Sequence, residues 1–471
     1  MPNQQPPMPG RRRGFLTRTK THPLIALICA IAGALALLAV VGAFTFRPFY
    51  DGLPESCGGE DLTVAGGNDV SLNNQRRALV ETWNQQARGD HRPARLIEVS
   101  PSSDLQYSQL KAAAESKSCA YDVFILDAPW TAEFARDGYI KELGHGDVDS
   151  PDDFFPPGLQ MGAYQGRQYA LPFNLDVGLL YYRSGAQPPS SPSAWPDSRY
   201  IAQLGDYEGL TVNALEYAWN HGAAGVLTGD TEPSRAALAT KVYPALKAVA
   251  ARIAQGGSLQ TSLMRGYQEQ DSIQAFARGA DDGLMRHWPY AYRDLANDPK
   301  LRDGANLRFN VIAPPGANAL GGQTLAISAH SRHEKDALAL IQHLTSTASQ
   351  QRLFSCGGFA PTRFSAFGLK PGPLRDAAVP SLPTCSQLRS AERDNANGEP
   401  DNATPQRLSD LAKAIVASLD RARPRPVTDH YETFSATFRG CARKILSGAS
   451  VAPDTFAHAV QDALKGKSAS C

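Results

Sequence analysis

The chain has 471 residues, 42% of them hydrophobic, and 47 Lys and Arg against 46 Asp and Glu give a formal net charge of +1. That length is more than one compact core usually holds, so two or three lobes are expected, with ample apolar content to bury them. The near-zero charge excludes a nucleic-acid binder, because the cationic excess that phosphate neutralisation requires is absent outside the first few residues.

At that N-terminal exception, Arg11, Arg12, Arg13, Arg18 and Lys20 gather without an acidic residue, directly before an apolar run from Leu24 to Phe46. About 23 apolar residues suffice to cross a hydrocarbon core of about 30 Å. Basic residues on the N-terminal flank predict a cytoplasmic tail over 1–23 and a single transmembrane anchor over 24–46. The body then lies outside the cytoplasm, at the cell membrane. A cleaved secretory signal is the rival reading, disfavoured by the length of the run and by the lack of a small-x-small site near its end. Cys29 follows the bulky Ile28, with little apolar sequence before it, and so does not mark a lipoprotein cleavage site.

After a tether (47–60), LTVAG (62–66) reads as a strand and 71–89 as an amphipathic helix with Leu79, Val80 and Trp83 on one face. RLIEVS (95–100) returns as a strand, Tyr107 to Ser116 reads as helix, and YDVFILD (121–127) as a third strand. Strands alternating with helices predict a parallel sheet covered on both faces. YALPFNLDVGLLYYR (169–183) is a long extended run, and a Pro/Ser-rich connector, QPPSSPSAWPDS, follows it. From there to about 310 the pattern is mostly helical. TLAIS (324–328) reads as another strand, 333–354 as one amphipathic helix, and the stretch beyond 364 as helix with Pro-marked breaks. No internal repeat is present.

Several stretches, in order, carry a resemblance: YDVFILDAPWTAEFARDGYIKEL, YALPFNLDVGLLYYR, YEGLTVNALEYAW, MRHWPYAY, LGGQTLAIS and GGFAPTR. Together they resemble an extracellular solute-binding protein of an ABC importer, of the group that takes up maltose, trehalose and other oligosaccharides, over about residues 60 to 440. The resemblance implies an α/β fold of the two-lobed periplasmic-binding-protein type, each lobe a sheet flanked by helices, with a ligand cleft between lobes that close. It places lobe 1 in 61–171 and 323–359 and lobe 2 in 172–322 and 360–471. Crossings are expected near 170–173, 320–324 and 358–362, each beside Gly or Pro.

Catalytic signatures are missing. HEKDA (333–337) begins like a zinc-protease helix, but Ala337 stands where the second His is needed. GKS (466–468) resembles the end of a phosphate loop, but Gln461 replaces its first Gly. There is no GxSxG elbow. Neither an enzyme nor a cofactor is expected, and no Cys/His spacing suggests a metal.

Sugar binding needs flat aromatic faces for the C–H surface of a pyranose, and carboxylates, amides and Arg for its hydroxyls, in a cleft that excludes water. In GLMRHWPYAYRDL (283–295), Trp288 and Tyr290 would point to one side of an extended segment. Pro289 disfavours a regular helix through this point. Both rings taken alone read as core; the resemblance makes Trp288 the main ligand platform and Tyr290 a second, with Tyr292, Arg286 and Arg293 structural. Asp176 interrupts an apolar strand, where a buried carboxylate needs a ligand or an internal hydrogen bond. Asp127 ends a strand facing a crevice, or caps the helix that follows. Trp130 is a platform or a packing residue. The resemblance further implies Gly321 and Gly322 as a loop approaching the ligand, Arg425 as a fork on sugar hydroxyls, and Asn68 and Asp69 as contacts in the loop after the first strand.

The expected function is the extracytoplasmic substrate-binding component of an ABC transporter, a monomer that captures an oligosaccharide and delivers it to permease subunits. A membrane-anchored sensor or scaffold that keeps the fold without transport is the alternative. Six extracytoplasmic cysteines, Cys57, Cys119, Cys356, Cys385, Cys441 and Cys471, permit up to three disulfides in fifteen pairings. Cys57 and Cys119 each precede a strand; if those strands are neighbours in one parallel sheet, their starts adjoin and a Cys57–Cys119 disulfide is expected. Reduction should separate the two peptides in a mass spectrum, whereas free thiols at both positions would overturn the pairing.

Overall fold

A computed structural model describes residues 59–86, 91–197, 199–375, 377–391 and 403–471. The apolar run at 24–46 and Cys57 lie outside the described residues, and among those described no helix is long and apolar enough to cross a membrane. From Leu62 the chain alternates as the pattern predicts: β1 (Leu62–Gly66), α1 (Gln75–Gln86), β2 (Ala94–Glu98), α2 (Ser103–Glu115) and β3 (Val123–Asp127). β1 lies between β2 and β3 and runs parallel to both. Leu79, Val80 and Trp83 of α1 are buried, one stripe of a helix packed on this layer.

The extended run at 169–183 is two strands, β4 (Ala170–Val177) and β5 (Leu179–Arg183), parted by Gly178. Every residue of β4 is buried, which is why its sequence is nearly continuous in apolar residues instead of alternating. β4 joins the first sheet and β5 the second. Gly178 is therefore a crossing, and it is pinned there. Its N–H donates to Asn318 Oδ1 (3.1 Å), Ser418 Oγ donates to its carbonyl (2.7 Å), and Asn318 Nδ2 donates to the Ser418 carbonyl (2.9 Å).

The second sheet runs β8–β5–β7–β6, with β6 (Tyr200–Ile201), β7 (Leu284–His287) and β8 (Phe309–Ile312). These strands interrupt the stretch that reads as helical. β7 is hidden in the sequence because Arg286 and His287 are both fully buried, so its four residues show neither alternation nor an apolar run. Around it stand α3 (Glu208–Ala218), α4 (Tyr243–Ile253), α5 (Gly257–Arg265), α6 (Glu269–Arg278) and α7 (Ala291–Asn297).

The chain returns to the first sheet between β8 and β9 (Asn318–Ile327). The expected crossings at 170–173 and 320–324 thus lie inside strands, and the actual changes of sheet come at Gly178 and at 313–317. Pro172 serves instead at a register irregularity opposite Thr324, where a strand tolerates a missing N–H. The third expected crossing, 358–362, contains Ala360, which bridges Leu175 of β4. The single helix expected over 333–354 is two, α8 (Glu334–Leu344) and α9 (Thr347–Gly357), because Ser346 starts a new helix by accepting from the Ser349 N–H (3.3 Å). Beyond lie α10 (Pro405–Leu419), β10 (Ala422–Pro424), α11 (Tyr431–Leu446) and α12 (Pro453–Leu464). β10 pairs with β9 over Asn318–Leu320, so its three residues join the first sheet.

Two disulfides are described: Cys356–Cys385 at the end of α9, and Cys441–Cys471, which ties α11 to the last residue. Cys119 is also disulfide-bonded, and its expected partner Cys57 lies outside the described residues. Cys441 and Cys471 are 30 residues apart, a loop whose closure is worth about 3–4 kcal/mol in the chain-entropy account. Replacing both with Ser should lower the unfolding free energy by about 2–4 kcal/mol in urea titrations; a loss under about 0.5 kcal/mol would show that the bridge constrains little.

Candidate functional site

The cleft is built on β9. One edge of β9 pairs antiparallel with β4, setting Gly321 against Asp176 and Gly322 against Leu175. The other edge pairs with β10 over Asn318–Leu320 and with β3 over Gln323–Ile327. β3 and β10 therefore approach from opposite directions and leave Gly321–Gly322 uncovered between their ends. Asp127 is the last residue of β3 and Arg425 the first after β10, so both are delivered to this gap. Gly322 has φ +123°, and a Cβ there would sit 2.1 Å from the Asn174 carbonyl oxygen, so no other residue fits.

Arg425 is buried, and its fork is already engaged. Nη2 and Nη1 donate to the two Asp127 oxygens (2.8 and 3.3 Å), and Nη1 also donates to Glu208 Oε1 (2.7 Å). Tyr431 and Ser435 hydroxyls donate to Glu208 as well. Arg425 lines the cleft with its fork in a bidentate charge-assisted pair, the strong use of that group. Asp127 makes no side-chain cap to the following turn, for the same reason.

Trp288 follows the carboxyl end of β7 and is half-buried. The guanidinium carbon of Arg286 lies 3.6 Å from its ring centroid. Arg286, itself 1% exposed, donates through Nη2 and Nε to the two oxygens of Glu216 (2.7 and 3.2 Å). The Tyr181 hydroxyl donates to the carbonyls of Trp288 (3.0 Å) and Pro289 (3.2 Å), which holds the turn below the ring. Tyr290 opens α7 in helical conformation (φ −61°, ψ −27°), so strand alternation does not orient it. It lines the cleft at its edge but is 8% exposed, packed on His287 and Phe359. Burial drives the His287 imidazole down to about 3, so the ring beneath Tyr290 is neutral.

Asp176 is 7% exposed; its Oδ1 has no hydrogen-bond partner and its Oδ2 lies 3.4 Å from Asn174 Nδ2. Burial pushes this carboxyl up to about 7, against the pull of Arg76. Trp130 is 2% exposed and donates to Glu432 (3.0 Å), a packing residue whose edge reaches the cleft. Asn68 stands exposed at the rim. Asp69 does not line the cleft. Its carboxylate accepts from Ser71 N–H and Oγ (3.0 and 2.6 Å) and from Arg76 N–H (2.8 Å), which orders the entry to α1.

Sequence reasoning passed over four of the groups that line the cleft: Arg76, Tyr207, Glu208 and Glu269. Arg76 reads as the polar side of an amphipathic helix, yet it is 4% exposed, donates to Gln323 Oε1 (2.8 Å) and lies over the Phe359 ring (5.0 Å). Glu208 stands inside YEGLTVNALEYAW, the one signal that could have found it. The cleft has a cavity volume of about 240 Å³, ample for several waters or a polar solute. Among the described residues no cluster suits a metal ion.

Residues 78–377 match the family of bacterial extracellular solute-binding proteins. The chain belongs to this family. A probable ABC transporter-binding protein of Deinococcus radiodurans is 26% identical over 298 residues, which cover 57% of this chain and 68% of that protein. The maltose-bound MalE3 of T. maritima superposes with a TM-score of 0.65 at 23% identity, over 86% of this chain and 99% of that one. An ABC transporter solute-binding protein of Thermotoga lettingae, bound with α-D-tagatose, gives 0.64 at 18% identity over 86% and 100%. These likenesses establish the two-lobed α/β fold, and the family is one of binding proteins, not enzymes.

In a family member of this build the state of Asp176 is measurable. Its folded pKa, raised to about 7 from an ordinary value near 3.9, means that the native state holds the proton longer than the unfolded chain. Stability is therefore lost as pH rises from about 4 through about 7. The stability of Asp176→Asn relative to the parent should rise by at least ~1 kcal/mol between pH 5 and pH 8 in urea unfolding; a difference that does not change with pH would mean the carboxylate is solvated.

Proposed function

We propose that the protein is the substrate-binding component of an ABC importer that captures an oligosaccharide of the maltose or trehalose kind and delivers it to a membrane permease. One observation carries this: Trp288 lines a cleft of carboxylates and amides with one face of its ring covered by Arg286, which leaves the other face for the C–H surface of a sugar. Tyr290 and Trp130 contribute edges to that cleft, and Asn68, Asp127, Asp176 and the Gly321–Gly322 backbone supply polar contacts. The lobes close over the ligand by bending where the chain changes sheet, at Gly178 and 313–317. Residues 24–46 anchor the body to the outer face of the membrane, and the protein acts as a monomer. Micromolar affinity requires about 8 kcal/mol net, within reach of a stacked ring and several hydrogen bonds after the cost of closure.

A ligand that binds only the folded chain raises its melting temperature. Thermal-shift and calorimetric titration of the full-length chain with maltose, trehalose and longer glucans should give such a rise, and Trp288→Ala should weaken binding at least tenfold while the protein stays folded. No shift with any of these sugars at about millimolar concentration would remove the oligosaccharide reading.

A further inference from the structure

The charge in the cleft is unbalanced. Its ionisable lining, apart from the tyrosines, is two arginines, Arg76 and Arg425, and four carboxylates, Asp127, Asp176, Glu208 and Glu269, with no Lys or His. Arg425 is consumed by Asp127 and Glu208. What remains is Arg76 against Asp176 and Glu269; the Arg76 guanidinium donates to Gln323 and lies over the Phe359 ring, and it is acted on by Asp69, Asp176 and Glu98. Arg286 is matched by Glu216. Behind the rim, Glu432 and Asp104 add negative charge beside Glu208, answered by Arg439.

The lining thus carries two more carboxylates than arginines, with Arg76, Arg286 and Arg425 acting on Asp176 and Arg286 on Glu269. Asp176 is more than nine-tenths buried and its Oδ1 is unpartnered. A neutral carbohydrate hydroxyl would satisfy the hydrogen bond at Oδ1 but leave the buried charge uncompensated, whereas an ammonium group would supply both donor and charge. Trp288 does not compete for this role: the cation on its ring is already Arg286.

We propose that the cleft selects a ligand bearing a protonated amine, an amino sugar in preference to a neutral one, with the ammonium seated between Asp176 and Glu269. This rests on the sugar-binding reading and narrows its ligand class. Burial raises the pKa of both carboxyls above their ordinary values, and an ammonium beside them would oppose that shift.

Calorimetric titration of the full-length chain near pH 7 with glucosamine and its disaccharides, their N-acetylated counterparts, maltose and spermidine separates the possibilities. The free-amine sugars should bind at least tenfold more tightly than the acetylated and neutral ones. Asp176→Asn should erase that preference, the free-amine and acetylated sugars then binding within about threefold of each other; Glu269→Gln, at the cleft wall, should lower it in the same direction and serves if the first variant fails to fold. Equal or tighter binding of maltose or acetylated sugars overturns the amine preference and leaves oligosaccharide capture standing. Binding of spermidine with no sugar overturns both readings, as does no response to any probe.

Discussion

The buried pair of Glu216 and Arg286 is the constraint on which the site depends. Glu216 projects from α3 into the place where three separate parts of the chain meet. It accepts two donors from Arg286 of β7 and the N–H of Ala319 at the start of β9 (2.9 Å). Gly178 passes so close that a Cβ there would lie 2.9 Å from Glu216 Oε1 and 3.3 Å from Arg286 Nη2. One carboxylate thus fixes the second sheet, the return strand of the first, and the point at which the chain changes from one to the other. A pair this deep gains little stability over well-packed apolar groups, but removing one partner would strand the other charge at a cost of about 3–5 kcal/mol. Its value here is positional: with Arg286 immobile, Trp288 has a fixed backing at van der Waals distance.

A second charged junction stands opposite. Arg425, Asp127 and Glu208 come from three elements that are distant in sequence, and they meet because β3 and β10 both stop short of Gly321–Gly322. Both junctions spend their arginines internally. The cleft between them therefore presents backbone, ring and carboxylate more than guanidinium, and this decides the character of the solute it suits.

The legible parts of the fold are those whose local pattern is unmistakable: β1 and β3 are short, nearly continuous apolar runs buried on both faces, and α1 carries one buried stripe. β7 was not legible, since Arg286 and His287 are buried by pairing and by neutrality, and a polar residue buried for those reasons looks like surface in the sequence. Gly and Pro carry more than one meaning here: Pro172 and Gly322 mark a register irregularity and a close backbone approach inside strands, and the change of sheet at Gly178 is made by one glycine in an apolar run.

Composition, the ordered motifs and the alternation of strand and helix were enough to determine the class of fold and to bring Trp288, Asp176, Asp127 and the paired glycines under suspicion, because residue type and local period are properties of short stretches. Which of these groups is free was decided only by tertiary structure. Asp69 and Arg425 are spent on neighbours 7 and 298 residues away, whereas Asp176 Oδ1 has no hydrogen-bond partner. Whether a charge is compensated depends on what lies within a few ångströms of it, and the sequence does not state those distances.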